Sequence, residues 1–267
     1  MAEESARRRR QGEGRCSGSD AFTPRAITAR ASSWSKLFDC AYSWEGEHIL
    51  GMRKPAGLRA HLGTSIHAST AAFDAGRLPG ATPVDVMDAA DIFVSTLHQP
   101  DRDVDFKQDD LSLRDAERIG LSLHAAYCTE ISPRYAFISV EQKLTPLEID
   151  CGGGQIVRLT GSMDRARVAQ TKGRSAQVGT YQLMYEHTEG VPTVGGQILA
   201  LATKGRAEVA VSPIWDAKRV MVGDDDRPGL IRIAAGMFRS GLFPPNPSSH
   251  LCSPKYCARW STCHFHE

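Results

Sequence analysis

The chain has 267 residues, of which 41% are hydrophobic and 24% charged, so it is long enough for one large domain and has the composition of an ordinary globular protein. Its formal net charge of +1 excludes a protein-wide attraction to polyanions, and any binding to nucleic acid must come from a local patch. No apolar run approaches the ~18 residues of a membrane span, so no membrane association is expected.

The N-terminal segment MAEESARRRRQGEGRCSGSD has four consecutive arginines and no apolar run after them, so it does not have the pattern of a secretory signal. We expect a disordered basic tail over residues 1–28, with weak contact to phosphates as the alternative, and one folded domain over 29–267. The odd number of cysteines, seven in all, indicates a reducing, cytoplasmic setting in which some of them bind metal.

Apolar residues at helical spacing run through most of the first half. The predicted helices cover residues 32–50, 63–76, 83–98 and 110–130. Two serines at the start of the first segment suit an N-cap, and Gly51 and Pro55 end it.

After Pro133 the pattern changes to alternating and β-branched residues. The stretch YAFISVEQKLTPLEIDCGGGQIVRLTGSMDRARV, broken by Pro146 and by glycines 152–154, predicts a strand meander. A helix is predicted at 175–188 and another at about 226–241, with the strand-like stretches TVGGQILALATK and AEVAVSPIW between them. This order predicts an α/β domain in which a helical N-terminal half packs on a central mixed β-sheet.

Three cysteines, Cys252, Cys257 and Cys263, are separated by four and five residues at the end of the chain. Thiolates this close in sequence can converge on one metal centre, and thiolates suit zinc or an iron–sulfur cluster. Cys40, in the first predicted helix, is the best candidate for a fourth ligand, whereas a histidine at 264 or 266 would serve for zinc. The alternative is a set of unrelated reduced cysteines.

Several short motifs follow one another along the chain: SSWSKLFDC, GTSIH, LTGSMDR, QVGTY and the terminal C-x4-C-x5-C. In this order they are similar to a first helix with a lone cysteine, a G-x-x-x-H helix, an aspartate strand, a Q-x-x-x-Y helix and the terminal cysteines of one nuclease family. From about residue 29 to its end the chain therefore resembles the PD-(D/E)XK nuclease superfamily. More narrowly, it is similar to the RecB-like and CRISPR-adaptation branch, with phage-encoded members, that carries a [4Fe–4S] cluster.

The resemblance implies a sheet of the restriction-endonuclease type and a site for Mg²⁺ or Mn²⁺. It implies that His67 and Asp164 are metal ligands and that Gln177 and Tyr181 belong to the catalytic set. It also implies that Cys40, Cys252, Cys257 and Cys263 hold the cluster, with Zn²⁺ as the alternative. Without the resemblance, His67 would be interpreted as a packed or surface histidine and Asp164 as a residue that forms a turn. Gln177 and Tyr181 would only cap and cover the surface of the sheet. Glu141 is either a metal-facing carboxylate or an exposed strand residue.

One element of the family pattern is not found. The family has an acid-x-lysine strand beside the aspartate strand, but here Val168 ends that strand and the next helix begins near Ser175. The intervening AQTKGR is too short for a turn, a strand and a connection. Either VAQTKG acts as the strand, with Lys172 as the lysine and a glutamine in place of the acid, or the segment is missing, which we favour.

Two functions of different classes follow from this pattern. The first is a metal-dependent DNA nuclease, exonuclease-like, that processes DNA ends or single strands in recombination, repair or phage replication, with a helicase or recombination protein as a further partner. Without the second acid and the lysine, little activity is expected. The second is a non-catalytic DNA-binding module that keeps the nuclease fold and a structural iron–sulfur or zinc site. A zinc-binding structural protein without a nucleic-acid role is a weaker third.

Overall fold

The computed structural model describes residues 25–166, 175–202 and 208–266. Its helices are α1 (Trp34–Asp39), α2 (Ala41–His48), α3 (Leu58–Ala75), α4 (Val86–His98), α5 (Leu113–Ala126), α6 (Ser175–Glu189), α7 (Lys218–Val222) and α8 (Leu230–Ser240). Its strands are β1 (Arg25–Arg30), β2 (Ala56–Gly57), β3 (Val104–Asp105), β4 (Ser139–Lys143), β5 (Leu147–Asp150), β6 (Gln155–Thr160), β7 (Ser162–Ala166), β8 (Leu199–Ala202) and β9 (Glu208–Val211). These elements form a mixed α/β fold, as predicted from the sequence.

The central part of the fold is a long bent hairpin. Its first arm contains β4 and β5 and its second arm contains β6 and β7, with the turn at glycines 152–154, all three of which have positive φ. The register shifts by one residue between the two halves of the hairpin, around Pro146, because one extra residue is accommodated on the first arm. β1 adds to the other side of β6 in parallel, which gives a mixed sheet of order β1-β6-β5.

Two details near the N-terminus differ from the prediction. β1 begins at Arg25, inside the segment 1–28 predicted as a tail, and the alternation that buries Ile27 and Ala29 against β6 explains this strand. The predicted helix 32–50 is broken at Cys40, whose extended backbone (φ −142°, ψ 94°) separates α1 from α2. Cys40 therefore lies at a junction and not within a helix.

The buried apolar residues of the described chain form two large cores and a small third one around Tyr127, Cys128 and Ile131. The sheet packs against α1, α2, α6 and α8 around Trp34, Leu37, Trp44, Val157, Leu159, Met184 and Phe238. A second core joins α3, α4 and α5 through Leu58, Leu62, Ile66, Phe93, Leu97 and Leu123. Because α3 also contacts β4, the helical layer meets the hairpin along that helix.

The segment after α8 folds back on the first two helices. Arg259 makes an ion pair with Glu45 at 2.6 Å and lies over the ring of Tyr42, with 4.0 Å between the guanidinium carbon and the ring centroid. Ser249 donates a hydrogen bond to the carboxylate of Asp39. These contacts bring the two ends of the domain together. None of the helices in the described ranges is both long and apolar enough to cross a membrane.

Candidate metal centre and cysteine cavity

Three side chains from separate elements converge where the helical layer meets the hairpin. Nε2 of His67, on α3, lies 3.3 Å from Oε1 of Glu141 on β4 and 3.3 Å from Oδ2 of Asp164 on β7. One ligand atom from each of the three lies within 4.8 Å of the other two. All three side chains are exposed in part, by 38%, 46% and 57% respectively, so the cluster is open to solvent, to an ion and to a substrate.

The strand pairing explains why the two carboxylates meet. In the antiparallel pair of β4 and β7, Val140 pairs with Arg165 and Gln142 with Met163, which leaves Glu141 opposite Asp164. Glu141 has a φ of 52°, a left-handed conformation that costs a residue with a side chain on the order of 1–3 kcal/mol and is concentrated at functional sites. The backbone is thus distorted at the position where one acid faces the other.

Helix α6 covers one side of this cluster. Tyr181 is hydrogen-bonded to Gln177, one turn earlier, and the ring of Tyr181 lies against the strand beside Gly161. A Cβ at Gly161 would be 3.0 Å from Cε1 of Tyr181, so glycine permits this approach. Burial raises the pKa of Tyr181, the bond with Gln177 opposes that rise, and the carboxylates of Asp164 and Glu141 add to it. The phenol therefore stays protonated at neutral pH, as a hydrogen-bond donor near the cluster.

The donor set fits a divalent cation. Two carboxylates this close repel each other, and a bound cation would offset that repulsion. An imidazole nitrogen with two carboxylate oxygens is a donor set that Mn²⁺ accepts and that Mg²⁺ accepts beside retained water. Separations of 3.3 Å are also about those expected for adjacent ligands of one ion that is ~2.1–2.3 Å from each.

The four cysteines of the predicted cluster line a single cavity. Cys40 enters it from the junction of α1 and α2, whereas Cys252, Cys257 and Cys263 enter it from the C-terminal segment. Burial raises the pKa of the Cys252 thiol, and the neighbouring thiols of Cys257, Cys40 and Cys263, as thiolates, raise it further. Ser43 is beside the cavity, with its Oγ 3.5 Å from the sulfur of Cys257. The structure therefore brings together all four cysteines named from the sequence.

The other described cysteines lie elsewhere. Cys128 is buried in the helical layer beside His124, and Cys151 is half-buried next to the hairpin turn. The ring of His266 stacks on Trp260 at 3.8 Å between centroids, and His264 lies against Phe265. Neither histidine is among the residues that line the cysteine cavity.

The candidate lysine of the short connection, Lys172, lies outside the described residues, as does the rest of the stretch 167–174. Within the described ranges, β7 pairs with β4 on one side only. The structure thus supplies a second carboxylate beside Asp164 from β4, the strand that pairs with β7. The sequence signal for it was Glu141 at the end of YAFISVE, which is equally compatible with an exposed strand residue.

Comparison with known proteins identifies the family of the chain. A family model of the PD-(D/E)XK nuclease superfamily matches residues 31–264. The chain belongs to the PD-(D/E)XK nuclease superfamily. A search of curated proteins found no matching relative.

Proposed function

We propose that this protein is a divalent-metal-dependent DNA nuclease, exonuclease-like, that acts on DNA ends or single strands in recombination, repair or phage replication. The observation that carries the proposal is the convergence of His67, Glu141 and Asp164 on one point in a chain of the nuclease superfamily. Each of the three comes from a different element, so their meeting is a property of the fold and not of local sequence.

The three ligands define what the protein contributes to the chemistry. A bound Mg²⁺ or Mn²⁺ would polarise a phosphate oxygen and lower the pKa of a water molecule. Asp164 and Glu141 would offset the charge of such an ion, and His67 would bind it from the helical side. Tyr181 and Gln177 donate hydrogen bonds at the edge of the site, where charge develops on the phosphate.

Glu141 is proposed as the second acid, which removes the need for a further strand after Val168. The sequence Glu141-Gln142-Lys143 also has the acid-x-lysine spacing, on a strand paired beside the aspartate strand. Lys143 is opposite Ser162, and residues two apart on paired strands face the same side, which is the side of Asp164. Lys143 would thus place an ammonium group near the scissile phosphate. Lys172 remains the other candidate for this role.

The cysteine cavity is proposed to hold a [4Fe–4S] cluster, with Zn²⁺ as the alternative. Four cysteines that line one cavity supply the Cys₄ ligand set of such a cluster, and four thiolates are also a ligand set of structural zinc. A bound centre would fasten the C-terminal segment to α1 and α2, beside the Arg259–Glu45 ion pair.

The test is cleavage of an end-labelled single strand and of a blunt duplex by the purified full chain, with Mg²⁺, with Mn²⁺ and with a chelator. We expect metal-dependent products from the wild-type chain and none from Asp164→Asn purified identically, which also controls for contaminating nucleases. Metal-independent DNA binding without cleavage would instead identify the non-catalytic DNA-binding module.

A further inference from the structure

An open groove lies beside the segment that leads into β4. It has a volume of about 440 Å³. The residues that line it are Arg77, Pro79, Pro133, Arg134, Tyr135, Ala136 and Phe137. Two arginines and two aromatic residues thus line one groove, with Tyr135 half-buried and Phe137 buried, and no residue of the metal cluster is among them.

The groove is held in shape by contacts of Arg77. Its Nη1 donates to the carbonyl oxygen of Ser132 at 2.6 Å, and its Nη2 donates to that of Tyr135 at 3.3 Å. The same guanidinium lies 5.9 Å from the ring centroid of Phe137. Asp74, fully buried, is 3.9 Å from Nη1 and balances the charge of Arg77. A surface fixed in this way loses little conformational entropy when a ligand binds.

The remaining groups have the chemistry of a nucleotide site. Arg134 is exposed, and within the described chain its guanidinium makes no hydrogen bond or ion pair. The ring of Tyr135 is half-buried and meets that of Phe137 edge-on, with 6.2 Å between centroids. A cationic group beside an aromatic ring is the combination that binds single-stranded nucleic acid, because the cation attracts a phosphate while the ring stacks on a base.

Two chain segments limit the distance from the groove to the metal cluster. Phe137 lies just before β4 and precedes Glu141 by four residues, which span at most about 13 Å at ~3.3 Å per residue. Arg77 lies just past the end of α3 and follows His67 by ten residues, or about 15 Å at ~1.5 Å per residue. The groove therefore lies within about four nucleotides of the metal cluster, at ~3.4 Å or more of DNA strand per nucleotide.

We infer that this groove binds one nucleotide of a single-stranded DNA segment that also reaches the metal cluster, within about four nucleotides of the phosphate that lies there. The base stacks against Tyr135 and the phosphate contacts Arg134. The inference rests on the proposed nuclease function and specifies its substrate: a segment that has already left the duplex, because a paired base cannot stack on a protein ring.

The experiment measures affinity for a labelled single strand by fluorescence anisotropy, with the full chain and Ca²⁺ in place of Mg²⁺, over a series of salt concentrations. Tyr135→Leu should weaken binding about tenfold, whereas Tyr135→Phe, which keeps the ring, should bind as the wild type does. Arg134→Gln should reduce the slope of log affinity against log salt by about 0.7, the value for one lost phosphate contact on a single strand. Arg118→Gln, an exposed arginine on α5, is the matched control and should change neither quantity.

The outcomes separate this inference from the proposed function. If the wild type cleaves DNA but Tyr135→Leu and Arg134→Gln bind single strands with unchanged affinity and slope, the groove inference is wrong and the nuclease stands. If the wild type binds and cleaves duplex DNA but does not bind single strands, the groove inference is likewise wrong and the nuclease function stands. If the wild type neither binds nor cleaves DNA, both proposals fail.

Discussion

Glu141 and Asp164 are opposite each other on antiparallel strands, and a carboxylate oxygen of each lies 3.3 Å from Nε2 of His67. Cross-strand pairs of like charge destabilise a sheet unless something compensates them. The backbone of Glu141 is also in a left-handed conformation, with φ of 52°. Two unfavourable features at one position indicate that it is maintained for binding and not for stability.

This relationship predicts that Glu141→Gly separates stability from function. Glycine adopts positive φ without strain and removes one of the two repelling charges, so in the absence of metal the variant should be as stable as the wild type or about 1 kcal/mol more stable. Its metal-dependent cleavage should be lost. Urea unfolding and a cleavage assay measure the two effects. Gln142→Gly, the neighbouring strand position, is the control and should be destabilised. A Glu141→Gly variant that unfolds more easily and still cleaves DNA would contradict this account.

The two candidate lysines can be distinguished by substitution. Lys143→Ala should lower the cleavage rate at saturating metal by 10²-fold or more, because a positive group near the scissile phosphate acts on the transition state. Its Mn²⁺ affinity should change little, since the three ligands remain. Lys172→Ala should retain activity if Lys143 has this role. The opposite pattern, with loss in Lys172→Ala alone, assigns the role to the stretch that follows β7.

The cysteine cavity predicts a visible chromophore. Protein purified without oxygen should be brown and contain about four iron and four sulfide per chain, and Cys252→Ser or Cys257→Ser should lose most of that iron. Cys151→Ser, a half-buried cysteine outside the cavity, is the matched control and should keep it. A colourless protein that contains one zinc ion per chain would contradict the cluster and show that the cavity is a zinc site.

Acid should weaken the contact that anchors α6. Oε1 of Glu186 accepts from Lys218 at 2.7 Å and from Thr193, and although burial opposes it, these bonds hold the pKa of Glu186 below its usual 4.5. A lowered folded pKa means that this stabilisation is present above pH 4.5 and is lost as the pH falls through the folded pKa. Glu186→Gln should therefore cost about 1 kcal/mol at neutral pH and much less once the pH is below the folded pKa of Glu186.

Urea unfolding of Glu186→Gln, Lys218→Met and the double variant measures this coupling. Lys218 has a pKa raised by the hydrogen bond with Glu186, so its contribution persists at neutral pH and is lost only above its usual 10.5. Additive effects of the two substitutions at neutral pH would show that the pair contributes nothing.

Periodic segments made most of the fold predictable. α4 and α5 matched their predicted positions because amphipathic spacing and side-chain caps coincide there: Asp85 accepts from the backbone N–H of Asp88, and Ser112 from that of Asp115. α3 began five residues before its prediction because Gly63, taken as its start, is tolerated inside the helix. β1 was missed because its alternation covers only a few residues, and Cys40 breaks a helix without any proline or glycine to mark the break.

The candidate site was only partly predictable for a different reason. His67, Asp164 and the four cysteines stand in recognisable motifs, so they could be predicted as ligands from the sequence. Glu141 stands in an acid-x-lysine triplet, but its position opposite Asp164 depends on the register between β4 and β7, which a single sequence does not reveal. The groove at Tyr135 likewise depends on Arg77, 58 positions earlier in the chain.

The most direct measurement is Mn²⁺ binding, by calorimetry, to the wild-type chain and to His67→Ala, Glu141→Gln and Asp164→Asn. Our account predicts one site in the wild type with affinity reduced by tenfold or more in each variant, because each removes one of three ligands that meet at a single point. Asp150→Asn, which removes a carboxylate in β5 away from the cluster, should bind as the wild type does. Unchanged Mn²⁺ affinity in both Glu141→Gln and Asp164→Asn would contradict the metal centre and, with it, the proposed nuclease mechanism.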